Sequence, residues 1–421
     1  MKKLILIIFC FLLSSCYDNR EPNDIAYATA IGIDKGKEKN YNITIQYAKP
    51  YNISGGESGG TGKDIMSSVT VEAPDIYSGI GLGNHIISKS FDLSHLRLFV
   101  FSKDIAKEGI SDFIETISRS KEIRPNVFTA VADGTASEYL SKASPTVDIN
   151  PAKYYQLIYG KNDYRAIPES YSQDLYFYIN LPEKNSVLPL AAVPENAEPK
   201  GKGEGAEESG EEEKPNPEHK EAPQEKDIYE YTVHNYKAGQ VEVYNNSNSE
   251  VSGGAVFKGD KMVGEMGLID AQIYNMLTEN VSRNYISFKT DKSDRLVTVL
   301  LDKEDRAKIS YNKSTHTSKI SLKLGAEFVS LPDDYIAEKD IEDFEALAEK
   351  GVKGEIERFI KKTQNVYDSD IVGFGLFAKS KFLTREEFEK YDWEEKYRTM
   401  NTDVDIELNV RRTGLTQREE K

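Results

Sequence analysis

The run Leu96-Arg97-Leu98-Phe99-Val100-Phe101 decides the fold class of this chain. Apolar and aromatic residues dominate it, so it reads as a buried strand. Ile110, Phe113, Ile114 and Ile117 follow at i, i+3, i+4 and i+7, which is one face of an amphipathic helix. Val127 to Val131 predicts another strand, and Ala136 to Leu140 a short helix. Strands alternating with helices predict a mixed sheet flanked by helices.

Working upstream, Ile25 to Asp34 reads as a strand entering a turn, and Tyr41 to Tyr47 alternates as a half-buried strand does. The two predict a hairpin around Asp34 to Asn40. Ser54 to Lys63 is a glycine-rich loop. Pro74 is suited to the start of a helix, where its missing N–H costs nothing. Gly79, Gly81 and Gly83 weigh against that helix at about 1 kcal/mol each.

Downstream, Gly254 to Gly264 reads as a hairpin turning at Gly259-Asp260, with a helix from Leu268 to Glu279. Arg295 to Leu301, Ala307 to Tyr311 and Lys319 to Phe328 predict a meander. Ile341, Phe344, Leu347, Ala348, Val352, Ile356, Phe359 and Ile360 predict a long amphipathic helix, and Val404 to Val410 alternates as a closing strand.

The 421 residues suffice for two to four domains, and 38% hydrophobic content suffices for buried cores. The formal net charge of -16 opposes nonspecific nucleic-acid binding and electrostatic docking onto anionic lipid. Glu195 to Asp227 carries twelve acidic residues against five lysines and no aliphatic side chain larger than alanine apart from proline. Such a segment buries too little apolar area to offset its ordering entropy and reads as a disordered spacer.

Met1-Lys2-Lys3 is a positive start, and Leu4 to Leu13 is uncharged and almost wholly apolar. About ten residues cannot span a bilayer, which takes roughly 20. The layout is that of an export signal. Leu13-Ser14-Ser15-Cys16 is similar to the lipobox of bacterial lipoproteins, in which a diacylglyceryl group joins the cysteine sulfur and the chain is cut before it. The expectation is a signal peptide at 1–15, an anchor at Cys16, a tether at 16–23 and an extracytoplasmic body. Cys10 leaves with the signal and Cys16 carries lipid, so cysteine-ligated zinc and disulfides are not expected.

His85, His95, His219, His234 and His316 have no metal-ligand spacing among them. Gly79 to Gly83 lacks the spacing of a dinucleotide loop. No nucleophile elbow or phosphate loop occurs. No catalytic residue, cofactor or metal is expected.

Several short motifs share one resemblance. Cys16-Tyr17-Asp18-Asn19-Arg20-Glu21 followed by Gly32-Ile33-Asp34, then His95-Leu96-Arg97 with Ser102 to Ile110, then Gly254-Ala255-Val256-Phe257-Lys258 resemble the Ger(x)C lipoproteins, the C subunits of bacterial spore germinant receptors (GerAC-like). Asp370-Ile371-Val372-Gly373-Phe374-Gly375 and Arg411-Arg412-Thr413-Gly414-Leu415 are similar to that family's C-terminal signatures. The order is right along nearly the whole chain. Tyr17 stands where tryptophan is usual, and the acidic insert is longer than the common form.

The resemblance implies an α+β fold of three mixed domains, each a largely antiparallel sheet packed with helices. They are placed at 24–172, 173–282 (interrupted by the spacer at 195–227) and 283–421. It implies a noncatalytic receptor subunit at the spore inner membrane, beside two integral membrane subunits, in a complex that senses small nutrients and triggers germination. It does not assign germinant binding to this subunit. Arg411 and Arg412 either bridge carboxylates at a domain seam or meet an acidic loop of a membrane subunit. Gly373, Phe374 and Gly375 are expected to shape a tight turn around a buried ring. His95 is expected to be a hydrogen-bonded structural residue. Two other classes fit an exported, lipid-anchored chain: a solute-binding lipoprotein of a transporter and a tethered cell-wall hydrolase.

Overall fold

The computed structural model describes residues 24–38, 40–49, 65–143, 150–160, 167–194, 235–241, 249–279, 282–290, 296–332, 335 and 340–412. The signal and tether with Cys16, the glycine-rich loop, the acidic spacer and Thr413 onward lie outside the described residues.

In chain order the elements are β1 (Ile25–Lys35), β2 (Tyr41–Ala48), β3 (Met66–Ala73), α1 (Ile76–Ile86), β4 (Ser90–Asp92), β5 (Leu98–Ser102), α2 (Lys103–Glu108) and α3 (Ser111–Arg119). Then follow β6 (Phe128–Ala132), α4 (Ala136–Lys142), α5 (Pro151–Tyr159), α6 (Ser172–Ile179), β7 (Val187–Ala192), β8 (Glu250–Lys258), β9 (Lys261–Met266) and α7 (Leu268–Thr278). The last part holds β10 (Arg283–Phe288), β11 (Val297–Lys303), β12 (Lys308–Asn312), β13 (Thr317–Ser330), α8 (Ile341–Lys362) with a π-helical turn at Thr363–Tyr367, α9 (Phe374–Lys379), α10 (Arg385–Tyr391), α11 (Trp393–Thr399) and β14 (Asn401–Arg412).

The class is α+β, built on two sheets among the described residues. The first has nine strands in the order β3-β2-β1-β5-β6-β7-β8-β9, with β4 paired to the start of β1. Its centre, β1-β5-β6-β7, is parallel, and antiparallel strands flank it on both sides. Parallel neighbours need crossovers, and the helices between β5 and β7 supply them. The parallel centre departs from the largely antiparallel expectation for the N-terminal part. The strands expected to form a separate middle domain instead extend this sheet, because Val131 and Ala132 pair with Leu190 and Ala191, and β7 pairs with β8. A lone hairpin is marginal in water, and β8–β9 gains its stability by joining an existing edge.

Alternation along the central strands divides the first core. Phe99, Phe101 and Val131 face one cluster, with Ile105, Phe113, Ile114 and Ile117 of the helices above it. Leu98, Val100, Phe128 and Ala130 face the opposite cluster, under Tyr139, Tyr155 and Tyr159.

The α1 helix forms despite its three glycines. Asp75 caps its N-terminus by accepting from the Ser78 N–H at 2.9 Å, so Pro74 precedes the cap. A Cβ at Gly79 would lie 2.8 Å from Ile43 Cβ, and one at Gly83 would lie 2.8 Å from the Phe91 ring. The missing side chains let the helix lie flush on β2 and β4, and that packing outweighs propensity. Gly81 has nothing within 4 Å. Gly81→Ala is therefore expected to raise stability by about 0.5–1 kcal/mol. Gly83→Ala is expected to lower it by about 1–3 kcal/mol through overpacking. Urea unfolding of the two variants checks the opposite signs.

The second sheet has the order β10-β11-β13-β12, with β14 on the other edge of β13. The expected meander is not formed. β11 and β12 lie end to end along one edge of the long β13, pairing with its Leu324 to Ser330 and Thr317 to Ser321 stretches respectively rather than with each other. One face packs on α8 through Ile320, Leu322, Leu324, Val404 and Leu408, and the other faces solvent. β14 is an edge strand, and Glu349 and Glu345 of α8 accept from its Leu408 and Val410 N–H groups at 2.9 and 2.7 Å. Those side chains occupy donors that would otherwise template further pairing.

One cluster runs from Val187, Val256 and Met266 of the first sheet through α7 to the second sheet. The two sheets thus share a core, with α7 between them.

Candidate functional site at the seam of the two sheets

The segment after the π-helical turn, Asp368 to Gly375, is where the two sheets are joined. Asp368 is left-handed at φ 50°, a conformation aspartate tolerates better than most residues. Its carboxylate meets Lys258 of β8 at 2.8 Å and takes both arms of Arg398 of α11 at 2.5 and 2.6 Å. The Arg398 hydrogen bonds, with Lys258, hold it at about 2, below the usual carboxylate range. Ser369 donates to the Phe257 carbonyl at 2.6 Å, and the Asp370 carbonyl accepts from the Asn185 N–H at 2.8 Å. Tyr367 donates to the Glu265 carbonyl at 2.6 Å. Apart from the Arg398 pair, which lies within the C-terminal part, these contacts tie that part to β8, to β9 or to the turn before β7.

Asp370 is the centre of this segment. Its side chain is buried and accepts four N–H groups: Gly373 at 2.8 Å, Phe374 at 3.1 Å, Gly375 at 2.8 Å and Trp393 Nε1 at 3.0 Å. Burial is the largest influence on it and pushes it up to about 6, against four donors that each favour the ionised form. Gly373 sits at φ 89°, which lets the backbone fold back over the carboxylate. A Cβ at Gly375 would lie 2.5 Å from the Glu183 carbonyl oxygen and 2.6 Å from Trp393 Nε1. Phe374 is fully buried beside Tyr397.

A second buried carboxylate, Asp270 of α7, joins α7 to α8. It is fully buried and holds Lys362 at 2.7 Å and Arg358 at 3.1 Å, both from α8, while Asn235 donates to it at 3.3 Å. Burial pushes this carboxyl up, but Lys362 and Arg358 more than offset that and hold it below its ordinary value. Glu265 of β9 pairs with Lys103 of α2 and, at 3.0 Å, with Lys237. The arrangement can fix the two sheets in one relative position and carry force or displacement between them. Asp370 has both oxygens engaged by donors, so it acts as an acceptor that shapes backbone, not as a free base.

The residues singled out by sequence are spread over the molecule. Gly373, Phe374 and Gly375 lie at the seam. Arg411 lies far along the second sheet, with Nε 3.0 Å from Glu304 and Nη1 3.6 Å from Asp302. Its guanidinium lies on Gly325, beside a cleft of about 320 Å³ that Arg283 and Glu327 also line. Arg412 ends β14 in register with Glu327. His95 is exposed, 3.0 Å from Ser94 Oγ and edge-on to Tyr27 at 4.7 Å. Cys16 lies outside the described residues.

The motif Asp370 to Gly375 does not by itself assign a role to the Asp370 carboxylate, and no local pattern marks Asp270 or Trp393. The available signal was an aspartate three residues before a Gly-Phe-Gly at a helix start, where free N–H groups call for an acceptor. Asp34 shows the same logic, accepting from Ala136 and Ser137 at the start of α4 at 2.6 and 2.9 Å.

Among the described residues no group of three or more His, Cys, Asp or Glu side chains is placed to hold a metal ion. No described helix is long and apolar enough to cross a membrane.

Two family models match the chain: the spore germination protein N-terminal domain over residues 18–193, and the spore germination B3/GerAC-like C-terminal domain over residues 252–414. The break between them falls between β7 and β8, which pair directly. Spore germination protein KC of Bacillus subtilis (strain 168) is 29% identical over 152 residues, covering 35% of this chain and 37% of that protein. The match thus spans little more than a third of that relative. Spore germination protein GerQC of Bacillus cereus is 20% identical over 437 residues, covering 99% of this chain and 100% of that protein. Among solved structures, the GerBC protein matches 90% of this chain and 96% of its own at a TM-score of 0.50 and 12% identity, a likeness of fold alone. With both halves matched in order along most of its length, the chain belongs to the GerAC-like family of spore germination proteins.

Proposed function

We propose that this protein is the noncatalytic, lipid-anchored C subunit of a nutrient germinant receptor. It is held outside the cytoplasm at the spore inner membrane by acylated Cys16, and it works beside two integral membrane subunits. The observation that carries this reading is the pair of family matches, 18–193 and 252–414, in a chain whose Leu13-Ser14-Ser15-Cys16 resembles a lipobox. The seam supports it as well. Its buried carboxylates are committed to backbone N–H groups and cations, an arrangement suited to a rigid adaptor. One acyl chain gives only marginal membrane binding, whereas two hold stably, so a diacylglyceryl group suffices for an acidic body with net charge -16.

Cys16→Ala is expected to move the protein from the membrane fraction to the soluble fraction of spores and to abolish or severely slow nutrient-triggered germination. Germination by nonreceptor routes should stay intact. Membrane fractionation with immunoblotting, and loss of optical density after nutrient addition, check the two halves. Full nutrient germination from a soluble variant would overturn the anchor.

A further inference from the structure

The outward face of α1 is an apolar surface without Asp, Glu, Lys or Arg in a chain of formal net charge -16. Ile76 to Ser88 contains no Asp, Glu, Lys or Arg. The helix buries Ile76, Gly79, Ile80 and Gly83 against the sheet, yet beside exposed Asn84 and His85 its opposite side also carries large apolar side chains: Ile86 is 62% exposed, Leu82 46% and Tyr77 43%. Gly81 between them opens the surface further. Most helices on a sheet turn polar residues outward, so an apolar outer face calls for an occupant.

The position of this helix indicates which occupant. Asn84 accepts from the Phe91 N–H at 2.9 Å, and Phe91 pairs with Ala26 in the parallel β4–β1 ladder. The C-terminal end of α1 therefore lies within roughly 20 Å of the first residues of β1. Eight peptide steps separate Cys16 from Asp24, a reach of at most about 30 Å. A lipid at Cys16 thus keeps this end of the molecule next to the bilayer. The chain as a whole carries a formal net charge of -16, which anionic headgroups repel, so a face without Asp, Glu, Lys or Arg approaches the bilayer at the least electrostatic cost.

We propose that the exposed face of α1, centred on Leu82 and Ile86, docks onto the bilayer surface beside the anchor and sets the orientation of the body on the membrane. The proposal rests on the lipid-anchor reading. Two or three apolar side chains bind weakly by themselves. Tethering makes their insertion an intramolecular step at high effective concentration. Insertion needs only the 5–10 Å depth typical of interfacial helices.

The test uses the full chain, purified with its native lipid and reconstituted into phosphatidylcholine–phosphatidylglycerol (about 7:3) vesicles. Ile86→Cys and Leu383→Cys each carry an environment-sensitive fluorophore. Leu383 is 95% exposed in the C-terminal part and serves as the aqueous reference. Quenching by lipids with a nitroxide near the headgroup should be at least about threefold stronger at position 86 than at 383. Leu82→Glu should remove that excess while leaving the circular dichroism spectrum unchanged. A chain retained on vesicles but equally quenched at both positions overturns the docking face and leaves the anchor standing. A chain not retained at all overturns the anchor reading and the docking with it. Excess quenching that appears only when the integral subunits are co-reconstituted assigns the face to a protein partner and overturns the bilayer proposal.

Discussion

Asp370→Ala is expected to lower unfolding free energy by about 3–5 kcal/mol at neutral pH, among the largest effects of any single substitution in this protein. The carboxylate is buried, and its removal leaves the N–H groups of Gly373, Phe374 and Gly375 and the Trp393 indole without their acceptor. The same change uncouples Trp393 of α11 from the turn that meets Glu183 and Asn185. Trp393 is the sole tryptophan of the chain, so its fluorescence reports the loss directly. A red-shifted native emission together with a lowered urea midpoint is the expected outcome. A variant as stable as the parent would remove Asp370 from the centre of the seam.

Asp370 also predicts a pH dependence. Burial raises it to about 6 in the folded protein, above its unfolded value. Between about pH 4 and 6 the unfolded carboxyl releases its proton while the folded one keeps it, so stability falls as pH rises, by about 3 kcal/mol across that window. Asp370→Asn lacks this titration. The stability difference between parent and Asp370→Asn, followed by urea unfolding from pH 4 to about 7, should shift in favour of the parent on acidification.

The second large effect is expected at Asp270. Arg358→Met with Lys362→Met leaves a fully buried carboxylate without its two cations. Breaking a buried pair in this way costs about 3–5 kcal/mol at neutral pH. The sign of the pH response should change too. In the parent the cations hold Asp270 below its ordinary value, so its stabilisation is complete above the unfolded value and is lost as pH falls through the folded one. In the double variant burial, the largest influence, is opposed only by the Asn235 hydrogen bond and raises the carboxyl, so stability declines as pH rises above about 4. Asp270→Asn added to the double variant should recover much of the loss at neutral pH. Failure of that rescue would show that the cations act through packing of their stems rather than through the carboxylate.

The family matches bear on the meaning of both sites. The two family models divide between β7 and β8, yet the described residues form one sheet across that division and one core beyond it. Substitutions at the seam should therefore affect both halves together, and the parent is expected to unfold in a single cooperative transition.

The sequence by itself determined most of the elements and the family. Period-two alternation placed β2, β13 and β14, and the i, i+3, i+4, i+7 spacing placed α3 and α8, because both patterns record which face of a local element is turned from water. The ordered motifs around Gly32-Ile33-Asp34 and Asp370 to Gly375 carried the resemblance. Only the tertiary structure decided how the strands associate, that β7 to β9 extend the first sheet and that β11 and β12 share one edge of β13. Strand partners are set by long-range pairing, which local periodicity does not encode. It also decided α1, where helix propensity argued against three glycines and close packing on Ile43 and Phe91 required two of them. The roles of Asp370 and Asp270 arose in the same way. A carboxylate becomes a structural centre only when the fold removes it from water and brings distant donors to it, and the chain order of Asp270, Arg358, Asp370 and Trp393 does not show that convergence.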